Sequence, residues 1–429
     1  MTQFMATREL DVYLDGDQAG TARMSSTGTL TFSYAESYAE RANPTPLSMS
    51  MPVDVRDHKN RVVLPFLQGL LPDNAQALAS IAATYSVSAS SPFAMLEHVG
   101  KDVAGALQFV ASGSSSRDAV DTRTRVTELT DQQIEQMLIE AIAEYRYGKP
   151  IKRADGRFSL AGAQPKIALH ELAPGRWGLP EDATPTTHIF KPNAGEMRDI
   201  DIVEQMTMTA ARELGLNVAE SHVRTFGTVS TLVSKRYDRV SIGGRWRRLH
   251  QEDLCQALGV TPTKKYQRTE GGPGVGAVAN LTELFPLASD RRAVSLDFFK
   301  AFIFNVVIGG TDAHAKNYSL LLKNETVALA PLYDLATYAP YRNDNELVLF
   351  PMSVNGKYQS DSVSTADLVK VGSRLKVPAE QAREIVEQIR TAAIPAFEKA
   401  RAQFASNPRT KSVANAVVES VRKLPLCAG

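Results

Sequence analysis

The residues best suited to chemistry lie in the segment Gly309-Gly-Thr-Asp-Ala-His-Ala-Lys-Asn-Tyr318. Asp312 and Asn317 are five residues apart, which is the separation between the general base and the metal-binding asparagine in kinase catalytic loops. A carboxylate at the first position can accept a proton from an attacking hydroxyl, and an amide oxygen at the second helps to hold magnesium on phosphates. The spacing therefore predicts phosphoryl-transfer chemistry, with Asp312 as the base and Asn317 as a magnesium ligand.

A second carboxylate is expected beside this loop. Residues 318–322 and 326–329 have the pattern of two strands joined by a short turn, and they lead into Pro331-Leu-Tyr-Asp-Leu335. Such a hairpin returns the chain to the loop, so Asp334 is predicted to be a second magnesium ligand. His314 and Lys316 lie between the base and the asparagine and are further catalytic candidates. Each of these residues alone would be an ordinary turn residue, but the set favours a site.

A cation for nucleotide phosphates is predicted at Lys191, which ends the strand-like run Thr187-His-Ile-Phe-Lys191. Glu204 follows in an amphipathic helix and is the candidate partner of that lysine. Upstream, the small residues of Ser159-Leu-Ala-Gly-Ala-Gln-Pro-Lys166 would let backbone amides approach an anion. The candidate nucleotide contacts in this segment are Ala161, Gly162, Ala163, Gln164 and Lys166. The richer glycine stretch, residues 271–276, is interpreted as a loop that faces the substrate.

The composition excludes several other classes of protein. Hydrophobic residues make up 43% and charged residues 22%, as in ordinary globular proteins. Lys and Arg total 48 against 47 Asp and Glu, and a net charge of +1 argues against a dominant nucleic-acid surface. Two cysteines are too few for a disulfide framework. No apolar run approaches the roughly 20 residues that span a bilayer. We expect a cytoplasmic protein without membrane contact.

The order of the predicted elements indicates several packed units within the 429 residues. An N-terminal subdomain, residues 1–111, is followed by a Ser- and Gly-rich linker, residues 112–125. A strand-rich region, 126–250, precedes a mainly helical region, 251–429, in which the apolar stretch 296–308 predicts a buried central helix. Pro395 is expected to kink or divide a later long helix. A strand-rich part followed by a helical part predicts two lobes with a cleft.

Several segments match one known family in order and number, and they span essentially the whole chain. They are Pro46-Leu-Ser-Met-Ser-Met-Pro52, Leu70-Leu-Pro-Asp73, Gly100-Lys-Asp-Val-Ala-Gly105, Ser159-Leu-Ala-Gly-Ala-Gln164, Thr184-Pro-Thr-Thr-His188, Gln251-Glu-Asp253, Gly271-Gly-Pro-Gly274, Thr311-Asp-Ala-His-Ala-Lys-Asn317 and Tyr333-Asp334. Through them the sequence resembles the HipA family of bacterial toxin kinases. The resemblance implies an α+β, bilobal, protein-kinase-like fold with a small N-terminal α/β subdomain, a strand-rich N-lobe and an all-helical C-lobe.

The resemblance also implies an ATP- and Mg²⁺-dependent kinase that phosphorylates serine or threonine. Within it, Asp312 would be the base, Asn317 and Asp334 would bind Mg²⁺, and Lys191 would contact ATP. The adenine hinge would fall at residues 234–237.

Two hinge residues, Lys235 and Tyr237, are the implied neighbours of the adenosine. Lys235 and Pro165 both depart from the residues usual in the family. Ser159 matches the serine that family members autophosphorylate to inactivate themselves, since a phosphate beside a phosphate-binding loop would repel ATP.

The implied partners come from the resemblance alone. Family members act with a helix-turn-helix antitoxin similar to HipB, which makes most of the contact with operator DNA. The implied protein substrate is an aminoacyl-tRNA synthetase.

Three other functions stay open on the residues themselves. Asp312, His314 and Asp334 are also the residue types of a metal-dependent phosphoesterase. The spacing of Asp312 and Asn317 is shared by phosphotransferases that act on small molecules. A non-catalytic regulator that binds an antitoxin and DNA is the third.

Overall fold

The protein is described by a computed structural model that covers residues 7–113, 124–147, 161–181, 184–194, 197–343 and 346–427. The chain forms two compact units. The first contains Met1–Ala194, Thr225–Thr263 and Leu321–Glu325, and the second contains Gly195–Arg224, Lys264–Leu320 and Thr326–Gly429. The predicted boundaries at residues 111, 125 and 250 stay predictions.

The first unit begins with an antiparallel sheet backed by helices. Its strands, in spatial order, are Asp57–His58, Leu30–Tyr34, Asp17–Met24, Arg8–Leu14 and Leu107–Ala111. The helices are Glu36–Ala39, Asn60–Gly69, Ala75–Tyr85 and Pro92–Val99. Alternating residues of the strands face the helices, so that Val12, Phe32 and Phe109 of the strands are almost fully buried in one apolar core with Phe93 of a helix.

A second sheet in the same unit surrounds Lys191. Its neighbouring strands are Val229–Lys235, His188–Pro192, Ile167–Ala173, Arg176–Pro180 and Val126–Glu128. The helix Asp131–Tyr147 packs on this sheet and begins at the Thr130–Gln133 capping pair, in which each residue bonds the backbone N–H of the other. The unit also contains the hairpin Arg239–Ile242 and Arg245–Arg248, the strand His250–Asp253 and the helix Leu254–Ala257.

The second unit is built around the helix Ala288–Val307. Phe298, Phe299, Ile303 and Phe304 of this helix are fully buried, which confirms the predicted central helix. The helices around it are Ile200–Glu213, Gln267–Glu270, Val275–Thr282, Thr365–Arg374, Ala379–Ala402 and Pro408–Arg422. The long helix continues through Pro395, so the proline does not divide it.

The strands near the predicted catalytic segment have the expected positions. Ser319–Lys323 and Thr326–Leu329 form the hairpin that leads to Asp334. A further antiparallel pair, Leu349–Val354 and Lys357–Gln359, was not anticipated from the sequence. The strand Ser221–Phe226 precedes the hinge strand Val229–Lys235. In the described part of the chain, no helix is long and apolar enough to cross a membrane.

A buried network of opposite charges joins three sequence-distant segments of the first unit. Asp102 accepts hydrogen bonds from Arg239 at 2.8 Å and from the hydroxyl of Thr186 at 2.7 Å. Asp238 pairs with Arg236 at 2.8 Å and with Arg239 at 2.9 Å. These four charged side chains are at most 8% exposed.

The charges of this network stabilise one another in the ionised form. Burial alone would raise the pKa of Asp238, but the guanidinium groups of Arg236 and Arg239 lower that pKa to about 2. The same two guanidinium groups, with Arg248, hold the pKa of Asp102 well below its usual value despite its burial. The network is therefore sensitive to the loss of any one charge, because the remaining partners stay buried.

We expect Asp102→Asn to lower the free energy of unfolding by about 3–5 kcal/mol, the usual cost of leaving a buried charge without its partner. Urea unfolding monitored by circular dichroism measures this change. Glu128→Gln is the matched control, because Glu128 pairs with Arg176 on the surface, where both side chains are about half exposed or more. Equal stability of the two variants would contradict a structural role for the network.

Candidate active site

The loop of residues 309–318 begins where the central helix ends, and its two glycines fix that end. Gly309 has a left-handed φ of +66°, and the N–H of Gly310 donates to the carbonyl of Asn305 at 2.8 Å. A Cβ on Gly310 would lie 2.8 Å from Oδ1 of Asn305. The amide of Asn305 also donates to the hydroxyl of Tyr318 at 3.1 Å, so the buried asparagine holds both ends of the loop.

Asp312 is the exposed residue of this loop, with 70% of its side chain accessible. Its Oδ1 accepts a hydrogen bond from the hydroxyl of Tyr266 at 2.5 Å and lies 3.9 Å from Nε2 of His314. The rings of Tyr266 and His314 meet edge to face, with centroids 4.8 Å apart. One carboxylate oxygen is thus oriented by the tyrosine, and the exposed side chain leaves Oδ2 accessible to a substrate hydroxyl.

The side chain of Asn317 is oriented by the backbone of Asp312, five residues earlier in the sequence. Its Nδ2 donates to the backbone carbonyl of Asp312 at 2.6 Å. Because a carbonyl oxygen can only accept, this contact fixes the nitrogen side of the amide toward Asp312. The amide oxygen therefore faces away from that carbonyl and is not used by this hydrogen bond.

Asp334 is tied to the loop through the residue before it. The hydroxyl of Tyr333 donates to the carbonyl of Lys316 at 2.8 Å and lies 2.6 Å from the hydroxyl of Ser319. Lys316 is the neighbour of Asn317, so the two predicted magnesium ligands each lie one residue from this contact. Asp334 has a φ of +52°, a left-handed conformation that an aspartate adopts at some cost and that is common at functional sites.

The residues after Asp334 are bonded to the other end of the loop. The hydroxyl of Thr337 donates to the carbonyl of Ile308 at 2.5 Å, and the N–H of Tyr338 donates to the carbonyl of Gly309 at 3.1 Å. Residues 333–338 are therefore fastened to both ends of the loop 309–318. The segment that contains Asp334 is thus bonded to the loop that contains Asp312 and Asn317, and their joint role in one site stays a prediction.

The remaining loop candidates are buried, unlike Asp312. The side chains of His314 and Lys316 are about 5% and 6% exposed. His314 packs against Tyr266, whereas Lys316 contributes its carbonyl to Tyr333. Asp312, His314 and Asp334 do not form a three-ligand group, and the described residues include no cluster of three or more His, Cys, Asp or Glu that could hold a metal ion. The side chains of Asn317 and Asp334 carry hard oxygen atoms of the kind that Mg²⁺ prefers, and their role as magnesium ligands stays a prediction.

In the first unit, residues 161–166 of the predicted phosphate loop are joined by a hydrogen bond of their own. Lys166 Nζ donates to the carbonyl of Ala161 at 2.7 Å. Gly162 has a φ of +106°, and a Cβ there would lie 2.5 Å from the same Nζ. The carbonyl of Gly162 accepts from the N–H of Asp73 at 3.2 Å, so residues 72–73 support the loop. Ala163 and Gln164 are exposed, and Ser159 lies outside the described residues.

The predicted phosphate cation and hinge occupy adjacent strands of the first unit. Lys191 is 9% exposed within the strand His188–Pro192 and pairs in register with Leu232. Lys235 ends the neighbouring strand and is exposed, and Tyr237 donates its hydroxyl to Oε1 of Gln251. Between them, Arg236 is held by the buried charge network. The hinge backbone is therefore fixed, while Lys235 projects from it.

Two features of the site were missed in the sequence. Tyr266 lies 46 residues before Asp312 and carries no motif that marks it as a partner of the base. Arg236 was read as part of the hinge without its buried partners. Glu204 is buried in the helix Ile200–Glu213 of the second unit, and its predicted pairing with Lys191 stays a prediction.

Family models match most of the chain. A model described as the HipA-like C-terminal domain matches residues 158–397, and one described as the HipA N-terminal domain matches residues 10–110. The serine/threonine-protein kinase toxin HipA of Shewanella oneidensis is 32% identical over 342 residues, covering 78% of this chain and 76% of that protein. The chain belongs to the HipA family. Like other members of this family, it is a kinase.

Two further comparisons agree with this assignment. The Sinorhizobium fredii protein Y4mE is 37% identical over 344 residues, covering 79% of each chain. A chain from the solved complex of Shewanella oneidensis HipA, HipB and operator DNA shares 24% identity with a TM-score of 0.80, covering 96% of this chain and 97% of that one. At this identity the structural likeness speaks for the fold, and it confirms the predicted fold class of this HipA-family chain.

We expect Tyr266→Phe to lower the turnover of this HipA-family kinase about 10-fold or more, since a hydrogen bond to a charged group contributes roughly 1.5–3 kcal/mol. Phenylalanine keeps the ring contact with His314, so the melting temperature should stay close to that of the parent. The measurement is the rate of ADP formation at saturating ATP. A variant with unchanged turnover would show that the tyrosine does not position Asp312.

Proposed function

We propose that the chain is an ATP- and Mg²⁺-dependent serine/threonine protein kinase that acts as the toxin of a toxin–antitoxin pair. The observation that supports this most is the joining of residues 333–338 to both ends of the loop 309–318. These contacts support a site in which the solvent-exposed carboxylate of Asp312, the amide of Asn317 and the carboxylate of Asp334 act together, which is the arrangement that phosphoryl transfer needs. The 32% identity to a serine/threonine-protein kinase toxin supports the substrate class.

In the proposed reaction, Oδ2 of Asp312 accepts the proton of a serine or threonine hydroxyl. The hydroxyl oxygen forms a bond to the γ-phosphorus of ATP as the bond from that phosphorus to the ADP oxygen breaks. The products are a phosphoester and ADP, and the proton resides on Asp312 until solvent removes it. Tyr266 and His314 keep the carboxylate aimed outward through contacts at Oδ1. Lys316 is proposed to assist from within the loop.

The nucleotide would be held by oxygen ligands and cations of named residues. Asn317 through its amide oxygen and Asp334 through its carboxylate would hold Mg²⁺, which when bound neutralises phosphate charge. In the first unit, Lys191 and the phosphate-loop residues would contact phosphates, and the hinge residues Lys235 and Tyr237 would border the adenosine. The phosphate-loop residues are Ala161, Gly162, Ala163, Gln164 and Lys166.

The regulatory part of the proposal rests on the family. A solved complex of the Shewanella oneidensis relative contains HipB and operator DNA. This supports a HipB-like antitoxin as a partner of the chain, with operator DNA contacted mainly through that antitoxin. We propose an aminoacyl-tRNA synthetase as the protein substrate and the cytoplasm as the place of action. Autophosphorylation of Ser159 would place negative charge beside residues 161–166 and oppose ATP binding.

A phosphotransferase for small molecules is the second candidate, because the geometry of base and asparagine does not specify the acceptor. This candidate differs from the protein kinase in the molecule that receives the phosphate. Label from [γ-³²P]ATP on protein rather than on a metabolite favours the protein kinase.

We expect Asp312→Asn to lower phosphate transfer by about 10²–10⁴, the usual range for the removal of a general base. Transfer is followed as ³²P incorporated into proteins of a cell extract. Binding of Mg·ATP, measured as thermal stabilisation, should persist because the metal ligands are unchanged. Near-normal transfer by the variant would remove Asp312 from its assigned role.

The same samples test the autophosphorylation site by intact-mass analysis. After incubation with ATP and Mg²⁺, we expect the parent chain to gain one phosphate and Asp312→Asn to gain none. Ser159→Ala should also stay unmodified. A phosphate that persists on Ser159→Ala would place the acceptor at another residue.

A further inference from the structure

The glycine-rich segment 271–276 borders a pocket of about 300 Å³ in the second unit. This pocket, called the glycine pocket below, lies where the segment meets the helix Thr365–Arg374 and the strand Leu349–Val354. Its walls include Gln267 and Ser353, with Lys370 and Arg374 from the helix. Neither the base nor the magnesium ligands use it.

The glycines are required because the segment presses closely against residues 264–267. A Cβ on Gly272 would lie 1.9 Å from the carbonyl oxygen of Lys264, and one on Gly274 would lie 2.3 Å from Oε1 of Gln267. The N–H of Gly272 donates to the carbonyl of Tyr266 at 3.1 Å. Oε1 of Gln267 also accepts from the N–H of Ser353 at 2.8 Å, so this residue holds the pocket wall in place.

The pocket wall is directly linked to the catalytic loop. Gln267 lines the pocket, and its chain neighbour Tyr266 donates to the carboxylate of Asp312. One residue earlier, the carbonyl of Lys265 accepts from the N–H of Ala315 at 3.3 Å. Consecutive residues are about 3.8 Å apart. A peptide whose hydroxyl reached Asp312 could therefore extend to the glycine pocket within a few residues.

The charge of the pocket favours an anion. Lys370 and Arg374 lie one turn apart on the same helix face, where like charges repel in the absence of a ligand. The lining residues include no Asp or Glu. Nearby carboxylates are already engaged, since Glu270 accepts from the N–H of Tyr266 at 3.0 Å and Asp367 pairs with Lys357 at 2.7 Å. An uncompensated pair of cations at a concave surface attracts a carboxylate.

We propose that the glycine pocket binds an aspartate or glutamate side chain of the protein substrate, a few residues from the serine or threonine that meets Asp312. This specificity site rests on the proposed protein kinase function. The carboxylate pairs with Lys370 and Arg374, and the glycine segment gives the peptide backbone close access. Substrates with an acidic residue at this distance from the acceptor are selected over neutral ones.

The test uses fluorescein-labelled dodecapeptides with one central serine in an alanine and glycine background. In three matched sets, a single glutamate, glutamine or lysine occupies each position near the serine. Binding to the full chain with Mg²⁺ and AMP-PNP is measured by fluorescence anisotropy at low salt, where surface charges are least screened. We expect one or two glutamate positions to bind at least about 10-fold more tightly than their glutamine counterparts.

The charge-reversed variant Lys370→Glu/Arg374→Glu should lose this preference and favour the lysine set. The neutral variant Lys370→Gln/Arg374→Gln should lose the preference for glutamate without gaining one for lysine. This variant also keeps the test valid if the charge-reversed variant fails to fold. Arg292→Glu/Lys411→Glu, which changes two exposed cations of other helices, is the matched control and should keep the preference.

An equal preference for glutamate in the charge-reversed variant and the control, or no preference in the parent chain, overturns the proposal. Binding needs no phosphate transfer, so its outcome is separable from that of the proposed function. If acidic peptides bind through the pocket and no serine-containing protein or peptide gains phosphate from ATP, the kinase proposal fails while the acidic-residue site stands.

Discussion

The proposed active site depends on two side-chain hydroxyl groups, which hold residues 333–338 against the loop of residues 309–318. Tyr333 bonds the carbonyl of Lys316, and Thr337 bonds the carbonyl of Ile308. Asp334 lies between these two contacts and takes a left-handed conformation that free chain would rarely adopt. The position of Asp334, the second predicted magnesium ligand, therefore depends on tertiary hydrogen bonds made by its neighbours.

In the first unit, buried ion pairs hold distant segments of the chain together. There the predicted hinge, residues 234–237, is anchored by a buried network in which Arg236 bonds Asp238, Thr186 and the carbonyl of Val103. Residues 102–105 belong to the N-terminal part of the chain, so the N-terminal sheet and the hinge share one network. Buried charges of this kind fix position more than they add stability, because desolvation offsets much of their attraction. Residues 102–105 of the N-terminal region therefore bond the predicted hinge, and that region also forms its own apolar core.

Local patterns predicted the elements around the candidate site. The strand pattern located the hairpin before Asp334 and the apolar stretch located the central helix, whereas the roles inferred for Asp312 and Asn317 from their five-residue spacing stay predictions. The contact of Tyr266 with Asp312 could not be predicted, because periodicity shows which face of an element is buried but not which distant residue meets it. The pairing of Asp102 with Arg239, 137 residues apart, was hidden for the same reason. Pro395 was expected to kink or divide a helix that packing keeps continuous.

The central claim is that Asn317 and Asp334 form one magnesium site at the nucleotide phosphates. Isothermal titration with AMP-PNP, with and without Mg²⁺, tests it most directly in the parent chain and in Asp334→Asn. We expect Mg²⁺ to strengthen nucleotide binding in the parent chain and this gain to be largely lost in the variant. The same Mg²⁺-dependent gain in both proteins would contradict it.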